Sequence, residues 1–365
     1  MSSYMIALLP GDGIGTEITH EAVQLLQEVT RIHGGVDLHF DLVSASATQW
    51  LQCGVAMTDD QFSACSKADA MLMGAIGLPE ARYPDGREVN GDVIFRLRFD
   101  LDLYAGIRPI RRFAGVPTPL LGEKPIDYVI VRENVEGVYS SRQGGVNLRD
   151  EVVTDAIVMT RKGVERVVEA SVGLARRRNG RPSDGEKRLL CVDKANVLSS
   201  YAFFRKIFDE IVAPHPEITP DHAYIDAMCA LQVLHPESLD VVVAENMFGD
   251  IISDLGAATV GGLGMAPSAD VGDSMGLFQP SHGSAPDIAG SGIANPVAMI
   301  LSAAMMLDWL STTRNDPAAK EIADAIDAGV IRALASGDAL TPDLGGTATT
   351  TEFAESVLRS VRTAV

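Results

Sequence analysis

The chain has 365 residues, and its 49 Asp and Glu against 30 Lys and Arg give a formal net charge of −19 at pH 7. Proteins that bind nucleic acid along its phosphate backbone need a basic face, and the sequence has no dense run of Lys and Arg, so we expect no nucleic-acid partner. Hydrophobic residues make up 46% of the chain, which is typical of a folded globular protein, and at roughly 150 residues per domain the length predicts two domains.

The predicted elements alternate between strands and helices along the chain. An apolar run at residues 5–9, ended by Pro10 and glycines, predicts a buried strand, and helically spaced apolar residues follow at 18–32. Further buried strands are predicted at 70–74, 128–132, 189–193 and 241–244, and helices at 161–178, 201–212 and 296–309. This alternation predicts an α/β protein with a largely parallel sheet.

Neither the N-terminal segment nor the longest apolar run is typical of a membrane or export signal. The first apolar stretch is too short for a signal peptide and has no basic segment before it, and the run at 297–307 is well short of the roughly 20 residues that cross a bilayer. We expect a soluble, cytoplasmic protein with no membrane partner. Cys53, Cys65, Cys191 and Cys229 form no CxxC pair, so we expect buried, reduced thiols.

The glycine-rich turn GDGIG at 11–15 lies between the first predicted strand and helix. Such turns can point backbone N–H groups at a pyrophosphate, but here the third glycine comes two residues after the second instead of three. Asp37 and Asp41 could each be matched to the acid that binds a ribose. The spacing favours a structural or substrate-side turn over a Rossmann dinucleotide site, and both remain open.

Asp250 and Asp254 lie in the stretch FGDIISDLG, at the start of a predicted helix. Carboxylates four residues apart face the same side of a helix and repel each other unless a cation lies between them, so the spacing indicates a hard divalent metal. The alternative is one aspartate stabilised by the helix dipole and one solvated aspartate. The spacing alone leaves both interpretations open.

Three arginines lie near the ends of predicted elements. Arg98 is on a helical stretch, Arg108 directly precedes Pro109, and Arg132 ends a strand. Arginine is the side chain best suited to bidentate binding of a carboxylate. Any one of them alone is typical of a surface ion pair, but the set indicates a pocket for a polycarboxylate.

Two further candidates lie near strand ends. Tyr139 closes the motif that begins at Arg132, and Lys194 follows Asp193 at the end of a predicted strand. Ligands collect at the carboxyl ends of strands in α/β sheets. A lysine there, close to metal-bound groups, can have its pKa lowered enough to act as a base.

With these residues in view, the sequence resembles the metal-dependent β-decarboxylating dehydrogenases, which include isopropylmalate, isocitrate, homoisocitrate and tartrate/D-malate dehydrogenases. The motifs occur in family order over nearly the whole chain: LLPGDGIG, RxxxDLYAxIRP, RENVEGVYS, DKANVL, YIDAM, ENMFGDIISDLG and PSHGSAPDIAGSGIANP. The resemblance implies an isopropylmalate dehydrogenase-like open twisted α/β sheet in two domains, with an active-site cleft between them. It implies a discontinuous cofactor-binding domain at 1–105 plus 260–365 and a substrate and dimerisation domain at 106–259.

The resemblance also implies a role for each matching side chain. The substrate carboxylates would be held by Arg98, Arg108 and Arg132. The metal, Mg²⁺ or Mn²⁺, would be bound by Asp226, Asp250 and Asp254. Lys194 would assist deprotonation of the substrate hydroxyl, and Tyr139 would protonate the carbon left when CO₂ departs. Because Lys194 and Asp226 come from the neighbouring subunit in this family, we expect a homodimer with shared active sites.

The resemblance places the cofactor in a different segment from the GDGIG turn. The adenosine half of the cofactor would be held by His282, Gly283, Ser284, Ala285, Asp287 and Asn295. Asp287 occupies the position where NAD enzymes carry an acid for the ribose hydroxyls and NADP enzymes carry a lysine. Because an anionic side chain would repel a 2′-phosphate, the sequence predicts NAD.

The helix before Arg98 sets substrate choice in this family. Isocitrate enzymes offer Ser and Asn to a third carboxylate where this chain has Asp92 and Ile94, which Phe95 follows. This apolar face with an added negative charge predicts a hydroxydicarboxylate of the (2R)-malate type, with 3-isopropylmalate, converted to 2-oxo-4-methylpentanoate and CO₂, as the first choice.

Other substrates and one other class of protein remain. Tartrate or D-malate is the first alternative, because RENVEGVYS is more similar to the isocitrate and tartrate branches, and the apolar face disfavours isocitrate and homoisocitrate. A non-catalytic regulatory subunit of the same fold is the remote alternative. All eight metal, carboxylate and proton-transfer positions are present, which argues against it.

Overall fold

The fold is taken from a computed structural model that describes residues 1–142 and 144–363. It contains two compact units. The first unit comprises Met1–Leu101, Phe113–Pro117 and Gly261–Val365. The second comprises Asp102–Arg112 and Thr118–Val260. The chain therefore passes from one unit to the other more than once.

The elements follow one another in an α/β order. The strands are β1 (Ser2–Leu9), β2 (Val36–Leu42), β3 (Ala70–Met73), β4 (Ala105–Arg111), β5 (Asp127–Glu133), β6 (Val146–Leu148), β7 (Val152–Thr154), β8 (Arg188–Asp193), β9 (Thr219–Tyr224), β10 (Val241–Ala244), β11 (Pro267–Val271) and β12 (Gly276–Pro280). The α-helices are α1 (Ile14–His33), α2 (Ala47–Cys53), α3 (Asp59–Lys67), α4 (Asn90–Asp100), α5 (Arg161–Arg177), α6 (Ser199–Val212), α7 (Ile225–Leu234), α8 (Asn246–Thr259), α9 (Val297–Arg314), α10 (Pro317–Ser336) and α11 (Thr350–Arg362).

In the first unit, the strands lie in the order β2-β1-β3-β12-β11. All neighbouring pairs are parallel except β11 with β12. Helix α9 packs against β11 and β12 and is itself contacted by α1 and α10. A helix that is apolar all round must be buried all round. This explains the longest apolar run of the sequence, whose side chains are almost all inaccessible to solvent.

In the second unit, the strands lie in the order β4-β5-β10-β8-β9, and only β4 with β5 is antiparallel. The helix pairs α5 with α6 and α7 with α8 pack on it. In the registers of these strands, Ala244 lies opposite Arg132 on one side and Val192 on the other. The carboxyl ends of β5, β8 and β10 therefore meet at one edge, which brings together the polar residues that follow each strand.

The α/β class with a mainly parallel sheet is confirmed, and the departures from it are the antiparallel pairs β11 with β12, β4 with β5, and β6 with β7, which form a separate two-stranded sheet. Among the described helices, none is both long and apolar enough to cross a membrane. The cysteines are free thiols, and Cys65 and Cys191 are buried as expected. The prediction was wrong for Cys53, which is exposed, because the short helix α2 turns it towards solvent.

Candidate active site

Arg132, at the carboxyl end of β5, lies at the centre of a polar cluster in the second unit. Its side chain is 3% exposed. Nε and Nη2 donate to Oδ1 of Asn246 at 3.0 and 2.7 Å, and Nη1 donates to the Asp250 carboxylate. The hydroxyl of Tyr139 donates to the other oxygen of Asp250 at 3.2 Å. One carboxylate thus joins a guanidinium and a phenol, three of the predicted site residues.

Helix α8 reaches Arg132 because of the residues at its start. The Glu245 carboxylate caps the helix by accepting from the N–H groups of Met247 at 3.2 Å and Phe248 at 3.5 Å. Gly249 then faces Arg132, and a Cβ placed on Gly249 would lie 2.8 Å from Cβ of Arg132. The absence of a side chain at 249 lets the helix approach the strand closely enough for Asp250 to meet the guanidinium.

Asp254 follows Asp250 by one helical turn and carries the second carboxylate of the predicted pair. Partial loss of hydration, and then the charge of Asp250, raise the pKa of Asp254, while Arg108 and Arg132 oppose the rise. Arg108 is buried on β4. The two carboxylates repel each other as the spacing predicted, and the positive charges of Arg108 and Arg132 act against that repulsion.

Lys194 and Asp226 meet each other at the ends of β8 and β9. Nζ of Lys194 donates to the Asp226 carboxylate, and this hydrogen bond lowers the pKa of Asp226. The Asp226 side chain is 69% exposed. Within residues 1–142 and 144–363, no three or more His, Cys, Asp and Glu side chains are arranged to hold a metal ion. A single chain therefore does not bring Asp226 into one cluster with Asp250 and Asp254.

Glu133 is a buried acid that the sequence analysis did not single out. It is 2% exposed, and its carboxylate accepts from the N–H groups of Val135 at 3.0 Å and Glu136 at 2.8 Å. Burial raises the pKa of Glu133 to about 7, although these two hydrogen bonds oppose the rise. The charge of Glu136 also raises the pKa, and Arg166 lowers it. Glu133 thus fixes the start of the turn that leads to Tyr139.

Arg98 lies in the first unit, near the end of α4. It is 6% exposed, and its Nε donates to Oδ2 of the fully buried Asp270 at 2.9 Å. The same oxygen accepts from the amide of Gln279 at 2.9 Å. The neutral Gln279 donates to Asp270, where a Glu would have added a second buried negative charge. Asp270 therefore holds the side chain of Arg98 in place.

The remaining predicted substrate residues lie on the same helix. Ile94 and Phe95 are half-buried, and Ile94 lies one turn before Arg98, on the same side of α4. Asp92 accepts a hydrogen bond from the hydroxyl of Tyr83. This hydrogen bond, with burial, raises the pKa of the Tyr83 phenol, so Tyr83 remains a donor to Asp92 at neutral pH.

The predicted cofactor segment is a loop held mainly through backbone atoms. The Ser284 hydroxyl donates to the carbonyl of Gly77, and the Ser284 carbonyl accepts from the N–H of Ile14 at 2.8 Å. Ala285 has a φ of 37°, while Gly283 and Asp287 are exposed. These contacts shape the loop and present the carboxylate of Asp287 to solvent.

Asn295 is buried and His282 is half-buried. The Asn295 amide donates to Asp343 at 2.9 Å, and its carbonyl accepts from the N–H of Val297 at the start of α9 at 3.0 Å. Nδ1 of His282 lies 2.8 Å from the carbonyl of Gly283, so Nδ1 carries the proton. Burial lowers the pKa of His282, which favours the neutral ring and leaves Nε2 as an acceptor.

The GDGIG turn uses its own N–H groups within the protein. The N–H of Asp12 donates to Ala75, that of Ile14 to Ser284 and that of Gly15 to Asp12, at 2.8, 2.8 and 2.9 Å. These are the groups that a Rossmann turn would offer to a pyrophosphate. The geometry therefore favours the structural interpretation of the turn over the dinucleotide-binding one.

Three residues of the site were not predicted from the sequence, although each contacts or adjoins a predicted arginine: Asn246, Glu133 and Asp270. Asn246 had a recognisable signal, because it lies one turn before Asp250 and so shares its face of α8. Asp270 had none, since its partner Arg98 is 172 positions away in the chain. Only the folded chain brings these two residues together.

Comparison with known proteins gives the following matches. The model of the isocitrate/isopropylmalate dehydrogenase family matches residues 5–357. The chain is 40% identical over 361 residues to 3-isopropylmalate/3-methylmalate dehydrogenase of Methanocaldococcus jannaschii, covering 98% of this chain and 99% of that protein. It is 40% identical over 370 residues to the decarboxylating D-malate dehydrogenase of Escherichia coli, covering 99% of each chain.

Two further matches extend the comparison to a third substrate and to a solved structure. Tartrate dehydrogenase/decarboxylase of Pseudomonas putida is 39% identical over 366 residues, covering 97% of each chain. The crystal structure of isocitrate dehydrogenase from Methylococcus capsulatus superposes with a TM-score of 0.86 at 33% identity, covering 98% of this chain and 99% of that one.

Proposed function

We propose a substrate and a mechanism from one premise: this chain belongs to the isocitrate/isopropylmalate dehydrogenase family. It is therefore an oxidoreductase that acts on a CH–OH group, a decarboxylating dehydrogenase. The proposed reaction is the NAD- and divalent-metal-dependent oxidative decarboxylation of a (2R)-malate-type 2-hydroxy acid, with 3-isopropylmalate as the substrate. The observation that carries the proposal is the cluster of Arg132, Asp250 and Tyr139, which combines a carboxylate-binding cation, an oxygen ligand and a proton donor.

The residues of this chain fit a divalent metal. Asp250 and Asp254 offer carboxylate oxygens from one face of α8, and after burial the charge of Asp250 contributes to the raised pKa of Asp254. Mg²⁺ and Mn²⁺ prefer oxygen ligands of this kind. Asp226 would complete the set from a second subunit, which is consistent with its separate position within one chain.

The residues also fit an adenine nucleotide without a 2′-phosphate. Among the described residues, nothing donates to the buried Nε2 of His282. An acceptor there suits an exocyclic amino group such as that of adenine. The exposed Asp287 carboxylate would repel a 2′-phosphate and accept from ribose hydroxyls, which supports NAD over NADP.

The side chains of the cluster have defined tasks in the proposed reaction. When bound, the metal would supply positive charge at the hydroxyl oxygen and NAD would accept the hydride. Lys194 would accept the hydroxyl proton as the 2-oxo acid forms. Arg108 and Arg132 would hold the carboxylates, and Asn246 and Asp250 fix the plane of the Arg132 guanidinium before substrate arrives.

Tyr139 would complete the reaction after the C–C bond breaks. The electrons of that bond remain on the substrate as an enolate while CO₂ leaves, and a proton must then reach the carbon. Burial, and next the charge of Asp250, raise the pKa of Tyr139, although Arg132 opposes the rise. The phenol therefore keeps its proton at neutral pH and can donate it as a general acid.

A homodimer with shared active sites follows from the same proposal. Lys194 and Asp226 would act on the metal and substrate held by the other subunit. Large apolar side chains are exposed in the second unit, which supports a covering partner: Val146, Leu148, Val152, Val153, Val197, Leu198, Val233, Leu234 and Ile251. Burial of such a surface is the usual driving force for a permanent dimer.

A panel of substrates tests the function. NADH formation is followed by absorbance with Mg²⁺ or Mn²⁺, and kcat/KM is compared for 3-isopropylmalate, D-malate, tartrate, isocitrate and homoisocitrate. We expect the highest value for 3-isopropylmalate and loss of turnover with EDTA. Binding of NAD without turnover of any substrate would instead identify the chain as a non-catalytic subunit of the same fold.

D-malate or tartrate is the second candidate substrate. The matches to D-malate and tartrate dehydrogenases are as strong as that to an isopropylmalate enzyme. The variant Ile94→Ala separates the two possibilities. It removes apolar contact beside Arg98, so it should lower kcat/KM about tenfold for 3-isopropylmalate and little for D-malate, if the alkyl substituent lies there. Equal effects on both would favour the smaller substrates.

A further inference from the structure

We propose that Asp12 is a positioning residue that holds the cofactor loop in shape through Gly77. This inference rests on the proposed role of residues 282–290 in binding NAD. It gives the GDGIG turn a task that is neither phosphate binding nor simple chain reversal. Asp12 itself would touch neither NAD nor substrate.

The Asp12 carboxylate is 2% exposed and accepts four hydrogen bonds from two other segments. Oδ1 accepts from the N–H and the hydroxyl of Thr48 at 2.9 and 2.6 Å. Oδ2 accepts from the N–H of Ala47 at 2.9 Å and from that of Gly77 at 3.0 Å. One buried side chain therefore ties the start of α2 to the connection between β3 and α4.

Gly77 links this carboxylate to the cofactor loop. Its N–H donates to Asp12, and its carbonyl accepts the hydroxyl of Ser284. The backbone next to Asp12 holds the same residue a second time, because the N–H of Ile14 donates to the carbonyl of Ser284 at 2.8 Å. Ser284 is thus fixed by its side chain, which Gly77 connects to Asp12, and by its backbone, which contacts Ile14.

The turn is packed so closely that a Cβ does not fit at positions 11 and 13. A Cβ on Gly11 would lie 2.1 Å from the carbonyl oxygen of Ala75, and a Cβ on Gly13 would lie 2.1 Å from that of Ser284. Both glycines have positive φ, of 78° and 54°. The glycines therefore allow the contact with the loop, and the carboxylate between them fixes its position.

The test compares Asp12→Asn with wild type in the full-length protein. The asparagine side chain keeps one acceptor oxygen but places an NH₂ group against N–H donors on the other side, and it removes the negative charge from all four hydrogen bonds. The hold on Gly77 would therefore weaken, and residues 282–290 would loosen. We expect the Kd for NAD, measured by calorimetry, to rise about tenfold, which is the effect of losing one charge-assisted hydrogen bond. The KM for the hydroxy acid should change little. Without NAD, backbone amides at 282–290 should exchange hydrogen faster.

Three further variants keep the result interpretable. In a double-mutant cycle, Asp12→Asn combined with Ser284→Ala should weaken NAD binding no more than Asp12→Asn alone, because both break one chain of contacts. Thr48→Val, which removes a single hydroxyl donor, provides a milder change if Asp12→Asn folds poorly. Asp316→Asn is the matched control, since Asp316 is also buried and caps α10 in the same unit. It should lower the Tm and leave the Kd for NAD unchanged.

Two outcomes would overturn the inference. Multiplying effects of Asp12→Asn and Ser284→Ala would show that the residues act independently. A lowered Tm with an unchanged Kd and unchanged exchange at 282–290 would show that Asp12 only stabilises the fold. A wild-type chain that does not bind NAD would overturn the proposed function as well, whereas normal wild-type binding with an unaffected Asp12→Asn would overturn this inference alone.

Discussion

The polar cluster around Arg132 in the second unit and the cofactor loop of the first unit differ in the kinds of groups that form them. Around Arg132 the groups are charged and polar side chains that contact one another directly, as Asp250 does with Arg132 and Tyr139. In the loop the backbone is placed by contacts of Ser284 and Gly77, and it presents the side chain of Asp287 to solvent. Charge chemistry depends on residue type, whereas a backbone surface depends on shape. Substitutions should therefore act on the chemical steps in the cluster and on binding in the loop.

The largest expected effect on activity concerns Lys194, the proposed base. Lys194→Met removes the proposed acceptor of the hydroxyl proton, and we expect kcat to fall by about a thousandfold with little change in the Kd for NAD. Steady-state kinetics and calorimetry measure the two quantities. A fall of less than tenfold would show that another group takes the proton.

Mixing subunits tests whether the cluster is completed by a partner. Equal amounts of Lys194→Met and Tyr139→Phe chains, unfolded and refolded together, should recover about a quarter of wild-type activity. Half of the dimers are then mixed, and each mixed dimer has one intact site of two. Each variant refolded alone is the control. If Lys194 and Tyr139 served the same site from one chain, mixing would recover nothing.

The second effect separates the two chemical steps. Tyr139→Phe removes the proton donor and keeps the ring, so we expect release of the decarboxylated product to slow by about a hundredfold. Hydride transfer should slow less, and rapid mixing should then show a burst of NADH before a slow steady state. Equal slowing of both steps would assign Tyr139 to substrate placement instead.

A smaller effect is expected in the cofactor loop, where a substitution should change the preference between NAD and NADP. Asp287→Lys replaces an exposed anion with a cation, so kcat/KM for NADP relative to NAD should rise by about tenfold or more. The activity of the variant with saturating cofactor should stay near that of wild type, because no group in the cluster changes. An unchanged cofactor ratio would mean that Asp287 does not face the ribose.

The last prediction concerns stability instead of activity, at Glu133, the acid next to Arg132. Because burial raises the pKa of Glu133 to about 7, its ionisation opposes folding. The native state is favoured while Glu133 is protonated, below its unfolded pKa, and this advantage is lost as pH rises to about 7. Wild type should therefore lose up to about 3 kcal/mol of unfolding free energy between pH 4.5 and 8, at an upper limit, relative to Glu133→Gln. Denaturant titrations across that range measure the difference, and parallel curves would contradict it.

The sequence predicts elements well where local pattern and burial agree. Strand β10 has the predicted bounds and is wholly buried, and α9 begins within one residue of its prediction. The antiparallel pair β11 with β12 was missed, because prolines and buried polar residues interrupt the apolar run in both strands. Strand β4 was missed because Pro109 lies inside it, and proline ordinarily argues against a strand.

The site shows the same division. The i and i+4 spacing of Asp250 and Asp254 was visible in the sequence, since it depends on one helix. The partner Asp270 could not be assigned, since it meets Arg98 only through tertiary packing, 172 positions away. Residue type therefore identified the reactive groups, and the fold identified the residues that orient them.

Gly249 also limits how this protein can change over generations. Any other residue there would place its Cβ 2.8 Å from Cβ of Arg132 and push the helix away from the strand. Asp250 would move with that helix, so its carboxylate, a proposed metal ligand, would lose contact with the guanidinium of Arg132. A saturation library at 249 should yield glycine almost alone among active clones, while neighbouring exposed positions such as Ile251 accept many residues. New substrate preferences must therefore arise by substitutions outside this contact, with Arg132 and Asp250 inherited as a pair.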